Sequence, residues 1–342
     1  MTGECGKKKE GGPAMQALKG TCEPFRRVSR REPCPICGKT DWCGINSRLA
    51  VCMRVKSNHP VSNGGWLHKL APGVVKEEVY SPAGTNPAAP IATRNRVYRA
   101  FLSCLHLLPE HKKDLLRRGL SEEGIKRNGY KSVPSSAERW RLCKELKERG
   151  YDLAGVPGFY QARGRYGGHY WTFKALPGYF IPVRDSQGRI QALQVRLDQP
   201  DGTGKYRFFS TPNQTGGSSS GAPCHVARPE ELKDRRVWVT EGPLKADIAS
   251  RYLGSVFIGV PGASNWRPAV EAIQELGARE VVIAYDRDKI VKDAVRRAER
   301  ELKADLRRKG IRVFIASWNQ EKGIDDALVS GCEITVKEER GA

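Results

Sequence analysis

Four times between positions 235 and 330, a short apolar, β-prone run gives way to a stretch with helical periodicity. "RRVWVT" precedes "PLKADIASRYLG", and "SVFIGV" precedes "WRPAVEAIQELGA". "REVVIAY" then precedes "VKDAVRRAERELKADLRRKG", and "IRVFIAS" precedes "GIDDALVSG". Apolar residues three and four apart predict the helices; short β-branched runs predict the strands. Strands joined by crossover helices pair in parallel, so the order predicts an α/β domain with helices on both faces of a parallel sheet. In such sheets functional groups gather beyond the carboxyl ends of the strands. Two acidic motifs fall at that edge: Glu241-Gly242 after the first strand and Asp286-Arg287-Asp288 after the third.

Carboxylates that converge on one edge repel each other unless a cation joins them. Hard oxygen donors select Mg²⁺ or Mn²⁺, the ions suited to phosphoryl transfer. Gly242 lets the backbone approach closely beside Glu241. Asp286 and Asp288 lie two apart, so in extended chain both point to one side. Singly, either motif reads as well as a strand end or helix cap. Together, each at a strand terminus, they favour a metal site.

The chain of 342 residues carries 59 Lys+Arg against 38 Asp+Glu, a formal charge of +21. That length suits two or three domains. The surplus points to a polyanion, nucleic acid before membrane. No apolar run of about 18 residues and no signal-peptide core is present, so the expectation is a cytoplasmic, nucleoid-associated protein. The ten cysteines are then read for a reducing compartment, where clustering means metal rather than disulfides.

Composition divides the chain further. Residues 1–30 are basic and aperiodic, expected to be a disordered arm. Residues 31–72 hold the cysteine cluster between short β-prone pieces, and the Pro- and Ala-rich 73–96 reads as a linker. Residues 97–150 have helical spacing; 151–233 switch to strands and glycine turns, including an alternating hairpin with "DSQG" at its tip. The parallel-sheet domain covers 234–330, with 331–342 as a tail.

Cys34-Pro35-Ile36-Cys37-Gly38 has the two-residue gap that turns both sulfurs towards one ion. No thioredoxin-like context surrounds it, so structural zinc is preferred to a redox pair. Two further ligands must come from Cys43, Cys52, His59 and His68.

"VWVTEGPLKADIA", "GVPGAS", "VVIAYDRD" and "KGIDDAL", in that order, resemble the Toprim domain of bacterial-type primases, topoisomerases and related nucleases. The resemblance puts the metal-binding glutamate at Glu241 and the Asp-x-Asp pair at Asp286 and Asp288. A further acidic position of the primase branch falls at Asp325 or Asp326. The replicative primases carry an aspartate four residues after the glutamate; this chain has Lys245 there, and Asp247 two residues on.

Upstream, Pro182, Asp185, Gly188, Ile190, Arg196, Lys205, Tyr206 and Ser210 match the basic strand half of the DnaG-like primase core. The resemblance assigns phosphate contacts to Arg196 and Lys205. Arg163, Arg165, Tyr166, His169, Tyr170 and Trp171 add a basic-aromatic mix suited to single strands. The order Cys34–Cys37, two short strands, Cys52 resembles the zinc ribbon at the front of these primases. His68 is the expected fourth ligand and Cys43 the alternative.

The resemblance implies a compact primase of a mobile element or phage, since no helicase module is evident after residue 330. It implies primer synthesis on single-stranded DNA from nucleoside triphosphates, with structural zinc, catalytic Mg²⁺ or Mn²⁺, and a replicative helicase acting in trans. A Toprim nuclease and a non-catalytic single-stranded-DNA-binding accessory protein are the rival readings.

Overall fold

The computed structural model describes residues 25–46, 48–61, 65–70, 87–164, 168–200, 204–286 and 293–339. Contacts divide the chain into two compact units between Tyr80 and Ser81.

The first unit is an antiparallel sheet of β1 (Arg26–Arg27), β2 (Gly44–Ile45), β3 (Leu49–Cys52) and β4 (Trp66–Lys69), in that order. Arg26 and Arg27, expected in the irregular arm, instead pair with Ile45 and Gly44. Arg26 is held there by an ion pair with Glu32. The core consists of Val28, Ile45, Ala50 and the cysteines Cys34, Cys43 and Cys52. So few apolar side chains rarely stabilise a fold without a cross-link.

The second unit opens with α1 (Ile91–Ser103), α2 (Pro109–Arg117), α3 (Glu122–Asn128), β5 (Lys131–Ser132) and α4 (Arg139–Glu148). Helix α1 starts inside the expected linker, behind Pro90, and buries Val97, Tyr98, Phe101 and Leu102. A hairpin follows, β6 (Phe159–Arg163) with β7 (His169–Phe173). Then come β8 (Gly178–Arg184), β9 (Ile190–Leu197) and β10 (Tyr206–Phe208). They form an antiparallel sheet in the order β10-β9-β8-β5.

The β8–β9 hairpin alternates as its sequence suggests, yet both faces are covered. Phe180, Leu193 and Val195 pack with Phe101 and Leu146 on one side. Tyr179 and Ile181 pack with Leu115, Tyr130, Leu244 and Ile248 on the other. Leu244 and Ile248 belong to the last third of the chain, so this sheet shares a core with that last third.

That last third runs β11 (His225–Ala227), β12 (Asp234–Glu241), α5 (Pro243–Leu253), β13 (Ser255–Val260) and α6 (Arg267–Glu275). It continues through β14 (Glu280–Ile283), α7 (Asp293–Arg308), β15 (Arg312–Ser317), α8 (Ile324–Val329) and β16 (Thr335–Glu338). The sheet order is β11-β13-β12-β14-β15-β16. Its four inner strands are parallel. The outer strands β11 and β16 pair antiparallel, closing both edges. Part of the expected tail is therefore an edge strand.

Alternate residues of β12 face opposite ways. Val237 and Val239 pack under α6 and α7, while Trp238 packs under α5 and α8. From β12 the chain turns to β13 on one side; from β14 it turns to β15 on the other. The right-handed crossover rule then requires α5 and α7 on opposite faces. Their loops part above β12 and β14, which opens a crevice there.

Candidate functional site

Glu241 ends β12 and Asp286 follows β14, so the two stand on either side of that crevice. The turn after Glu241 needs its glycine: Gly242 sits at φ 86°, where a side chain is strained. Its N–H donates to the Val260 carbonyl at 2.7 Å, pinning the start of α5 to the neighbouring strand.

One turn into α5, Lys245 reaches back into the crevice. Its Nζ lies 2.6 and 2.7 Å from the two oxygens of Asp286. It is 3.8 Å from Oδ1 of Asp325, in the first turn of α8. That Asp325 oxygen is buried and has no hydrogen bond. Asp326, beside it, is exposed.

Burial and the Asp286 charge push the Glu241 carboxyl above its usual range, with Lys245 pulling the other way. Burial likewise raises Asp325. Burial alone would lower Lys245, but Asp325 and Asp286 overcome it and hold the ammonium above its usual value. The donor set suits a hard cation, and Lys245 already covers both oxygens of Asp286.

Asp247 plays no part in this cluster. It is buried on the other side of α5, where it accepts from His225 Nε2 at 3.1 Å and from the Tyr130 hydroxyl. His225 Nδ1 accepts the Arg184 backbone N–H at 2.9 Å, which fixes its proton on Nε2. Burial opposes the Asp247 charge, but His225, Tyr130 and Arg184 hold its carboxyl below the usual range. The network ties α5 to β8 and β11 and so aims Lys245.

A cleft lined by Gln194, Tyr206, Glu241, Gly242, Leu244, Lys245 and Pro261 joins the crevice to the antiparallel sheet. Tyr206 pairs with Arg196 across β10 and β9. Arg196, expected to contact phosphate, is ion-paired within the protein. Its Nη1 lies 3.1 Å from Asp114 Oδ2 and its guanidinium stacks 5.6 Å from the Tyr179 ring. Arg117 and Arg118 bind the same carboxylate at 2.6 and 3.0 Å. One carboxylate against three guanidiniums leaves two positive charges beside exposed Lys205.

Of the proposed single-strand residues, Arg163, His169 and Tyr170 are exposed on the β6–β7 hairpin, and Trp171 is half-buried. Asp288, Arg165 and Tyr166 lie outside the described residues.

In the first unit, Cys34, Cys37, Cys43 and Cys52 bring their sulfurs within 4.8 Å of one another. Zinc–sulfur bonds of about 2.3 Å set tetrahedral sulfurs about 3.8 Å apart. Cys37 and Cys43 are 3.8 Å apart and Cys43 and Cys52 4.0 Å. The Met53 and Val55 N–H groups point at the Cys43 and Cys52 sulfurs, at 3.4 and 3.3 Å, as a thiolate site requires. Burial pushes Cys43 up to about 12. Burial opposes ionisation of Cys37 too, but the Lys39 N–H and neighbouring thiols draw it down to about 7.

The expected fourth ligand is corrected by this geometry. His68 stands on β4 with Nε2 3.0 Å from the Val55 carbonyl, outside the cluster, and Cys43 completes the set. A ligand on the far edge strand cannot reach an ion held at the knuckle; Cys43, just before β2, does.

Sequence reasoning passed over Asp114 and the role of Lys245. The second had a signal, because position 245 lies in the first turn of the helix that starts directly after Glu241-Gly242. The first had none, since α2 and β9 meet only in the fold.

Residues 231–334 match a family model described as Domain of unknown function (DUF3854). No curated protein matches the chain. Among solved structures, the zinc-binding and RNA polymerase domains of Aquifex aeolicus primase are similar, with a TM-score of 0.53 and 16% identity over 72% of this chain. The chain spans only 63% of that structure's length. The RNA polymerase domain of Mycobacterium tuberculosis primase DnaG, solved with a double-stranded DNA oligomer bearing a 6-nucleotide overhang, gives 0.51 and 14%. There the match covers 72% of this chain and 82% of the other. The chain thus has a DnaG-primase-like fold. No helix among the described residues is long and apolar enough to cross a membrane.

Proposed function

We propose that this chain is a primer-synthesising nucleotidyltransferase of DnaG-like type, with a Toprim domain at 234–330 and a zinc ribbon at its front. One observation carries the reading: Glu241 ends β12 and Asp286 follows β14, close enough for the Asp286 charge to act on Glu241, and Glu241 and Lys245 line a cleft shared with Gln194 and Tyr206 of the antiparallel sheet.

Glu241 and Asp286 would hold Mg²⁺ or Mn²⁺, with Asp288 as the third carboxylate. When bound, that ion supplies charge stabilisation for a phosphoryl group under attack. Lys205, Arg117 and Arg118 draw template or triphosphate phosphates towards the cleft. Arg196, held by Asp114, keeps β9 and β10 in place beside it. Gln194 and Tyr206 form the wall opposite the carboxylates.

In the ribbon, Cys34, Cys37, Cys43 and Cys52 hold zinc. Trp42 precedes the third ligand with 71% of its surface exposed and φ at 67°. A bulky residue in the left-handed region is a strained exception. An indole held out in that way is a stacking platform for an unpaired base. A single-stranded DNA template, nucleoside triphosphates and a replicative helicase as partner complete the reading.

The test is direct. Zinc-loaded chain is incubated with single-stranded circular DNA, four labelled nucleotides and Mg²⁺, and products are sized on a gel. Short template-dependent products are expected. Metal-dependent degradation of the circle without nucleotides would make it a nuclease. DNA binding without turnover, unchanged by Glu241→Gln or Asp286→Asn, would make it an accessory binding protein.

A further inference from the structure

Lys245 brings an ammonium into the carboxylate cluster. Its ammonium touches both oxygens of Asp286 and approaches the buried, otherwise unbonded Oδ1 of Asp325. The socket is built for it. A Cβ on Gly323 would stand 2.7 Å from Lys245 Nζ and 2.4 Å from that same Asp325 oxygen. A side chain at position 323 would press on the ammonium and on that Asp325 oxygen, and glycine leaves the socket open. The Asp247–His225–Tyr130 network holds the helix that carries it.

We propose that Lys245 is a resident cation. It takes the place that a second divalent ion would occupy between Asp286 and Asp325, so that the native centre accepts a single exchangeable metal ion, on its Glu241 side. The ammonium offsets one unit of the cluster's negative charge. Removing it returns that unit, and buried carboxylates left without a counter-charge gather another cation or protonate. The inference rests on reading the cluster as a cation site, but not on any reaction performed there.

The test uses full-length, zinc-loaded protein titrated with Mn²⁺, since thiolate sites prefer zinc to this harder ion. Free Mn²⁺ is counted by its electron paramagnetic resonance signal, and thermal melting is followed in parallel. Wild type is expected to bind one Mn²⁺ per chain. Lys245→Met, similar in length but uncharged, is expected to bind two and to melt lower in chelator, recovering with Mn²⁺ but not with sodium chloride of equal ionic strength. Gly323→Ala alters no charge and sits at an ordinary φ of −103°. It crowds the ammonium out of its socket and should also raise binding above one.

Two Mn²⁺ on wild type would overturn the proposal. So would one on wild type with one on both variants. The wild type and Gly323→Ala still decide if Lys245→Met does not fold. Should wild type bind none and Lys245→Met bind one, the resident-cation role stands, while the single-metal centre and the metal-dependent polymerase reading fall.

Discussion

The cysteine cluster and the carboxylate cluster solve opposite problems. Cys34, Cys37, Cys43 and Cys52 come from one knuckle and two adjoining short strands, around a core that has almost nothing else in it. Glu241, Asp286 and Asp325 come from three separate strand-to-helix connections, above a sheet already packed on both faces. The first has four soft donors, with the Arg54 guanidinium 3.8 Å from the Cys43 sulfur. The second has hard oxygen donors, with the Lys245 ammonium hydrogen-bonded to Asp286 among them. Emptying the first should therefore cost fold, and altering the second should cost chemistry.

The largest effect expected is at the cysteines. Cys43→Ser should release zinc and unfold the first unit, because structural zinc binding is itself most of such a fold's stability. His68→Ala should keep one zinc per chain. Elemental analysis of carefully prepared proteins checks both; zinc retained by Cys43→Ser and lost by His68→Ala would reverse the ligand assignment.

Next come the carboxylates, which should separate from each other. Glu241→Gln and Asp286→Asn should each reduce nucleotide incorporation on the order of a hundredfold or more, the loss of a metal contact worth several kcal/mol. Their stabilities should diverge. Glu241 has its charge disfavoured in the fold, so its neutral replacement should hold or raise the melting temperature. Asp286→Asn strands the Lys245 ammonium and should destabilise by about 2 kcal/mol. Equal melting temperatures for the two variants would contradict the Lys245–Asp286 pairing.

A smaller effect is expected at Trp42. Trp42→Ala should weaken single-stranded DNA binding roughly tenfold, in line with loss of one stacked base. It should leave zinc content and the steep salt dependence of affinity unchanged. Unchanged affinity, measured by fluorescence anisotropy at fixed salt, would remove the stacking role.

The smallest lies in the acid limb of stability. Asp247 has its folded pKa depressed. Its contribution is fully present above the ordinary carboxylate range and is lost as pH falls through the lower folded value. Asp247→Asn should therefore lower the melting temperature at neutral pH and narrow the gap to wild type in acid. A gap that widens in acid would mean that the charge of Asp247 is not what the His225–Tyr130 network holds.

Local spacing made much of this molecule legible. The Cys-x-x-Cys knuckle and the four strand–helix repeats are short-range patterns, and Glu241 and Asp286 follow as strand ends. The edge strands β11 and β16 were not legible, because three or four residues acquire strand character only from the neighbour they pair with. The choice of Cys43 over His68 likewise depends on which strand of the small sheet lies next to the knuckle. Arg196 illustrates the same limit. Its residue type announces a cation, but its partner Asp114 lies on a helix far back in the chain. Sequence alone determined which donors exist and which strand ends carry them, since periodicity and motif spacing act over one or two turns of chain. Only the tertiary structure decided that an ammonium fills the middle of the carboxylates, because Lys245, Asp286, Gly323 and Asp325 become neighbours only when the sheet brings three loops together.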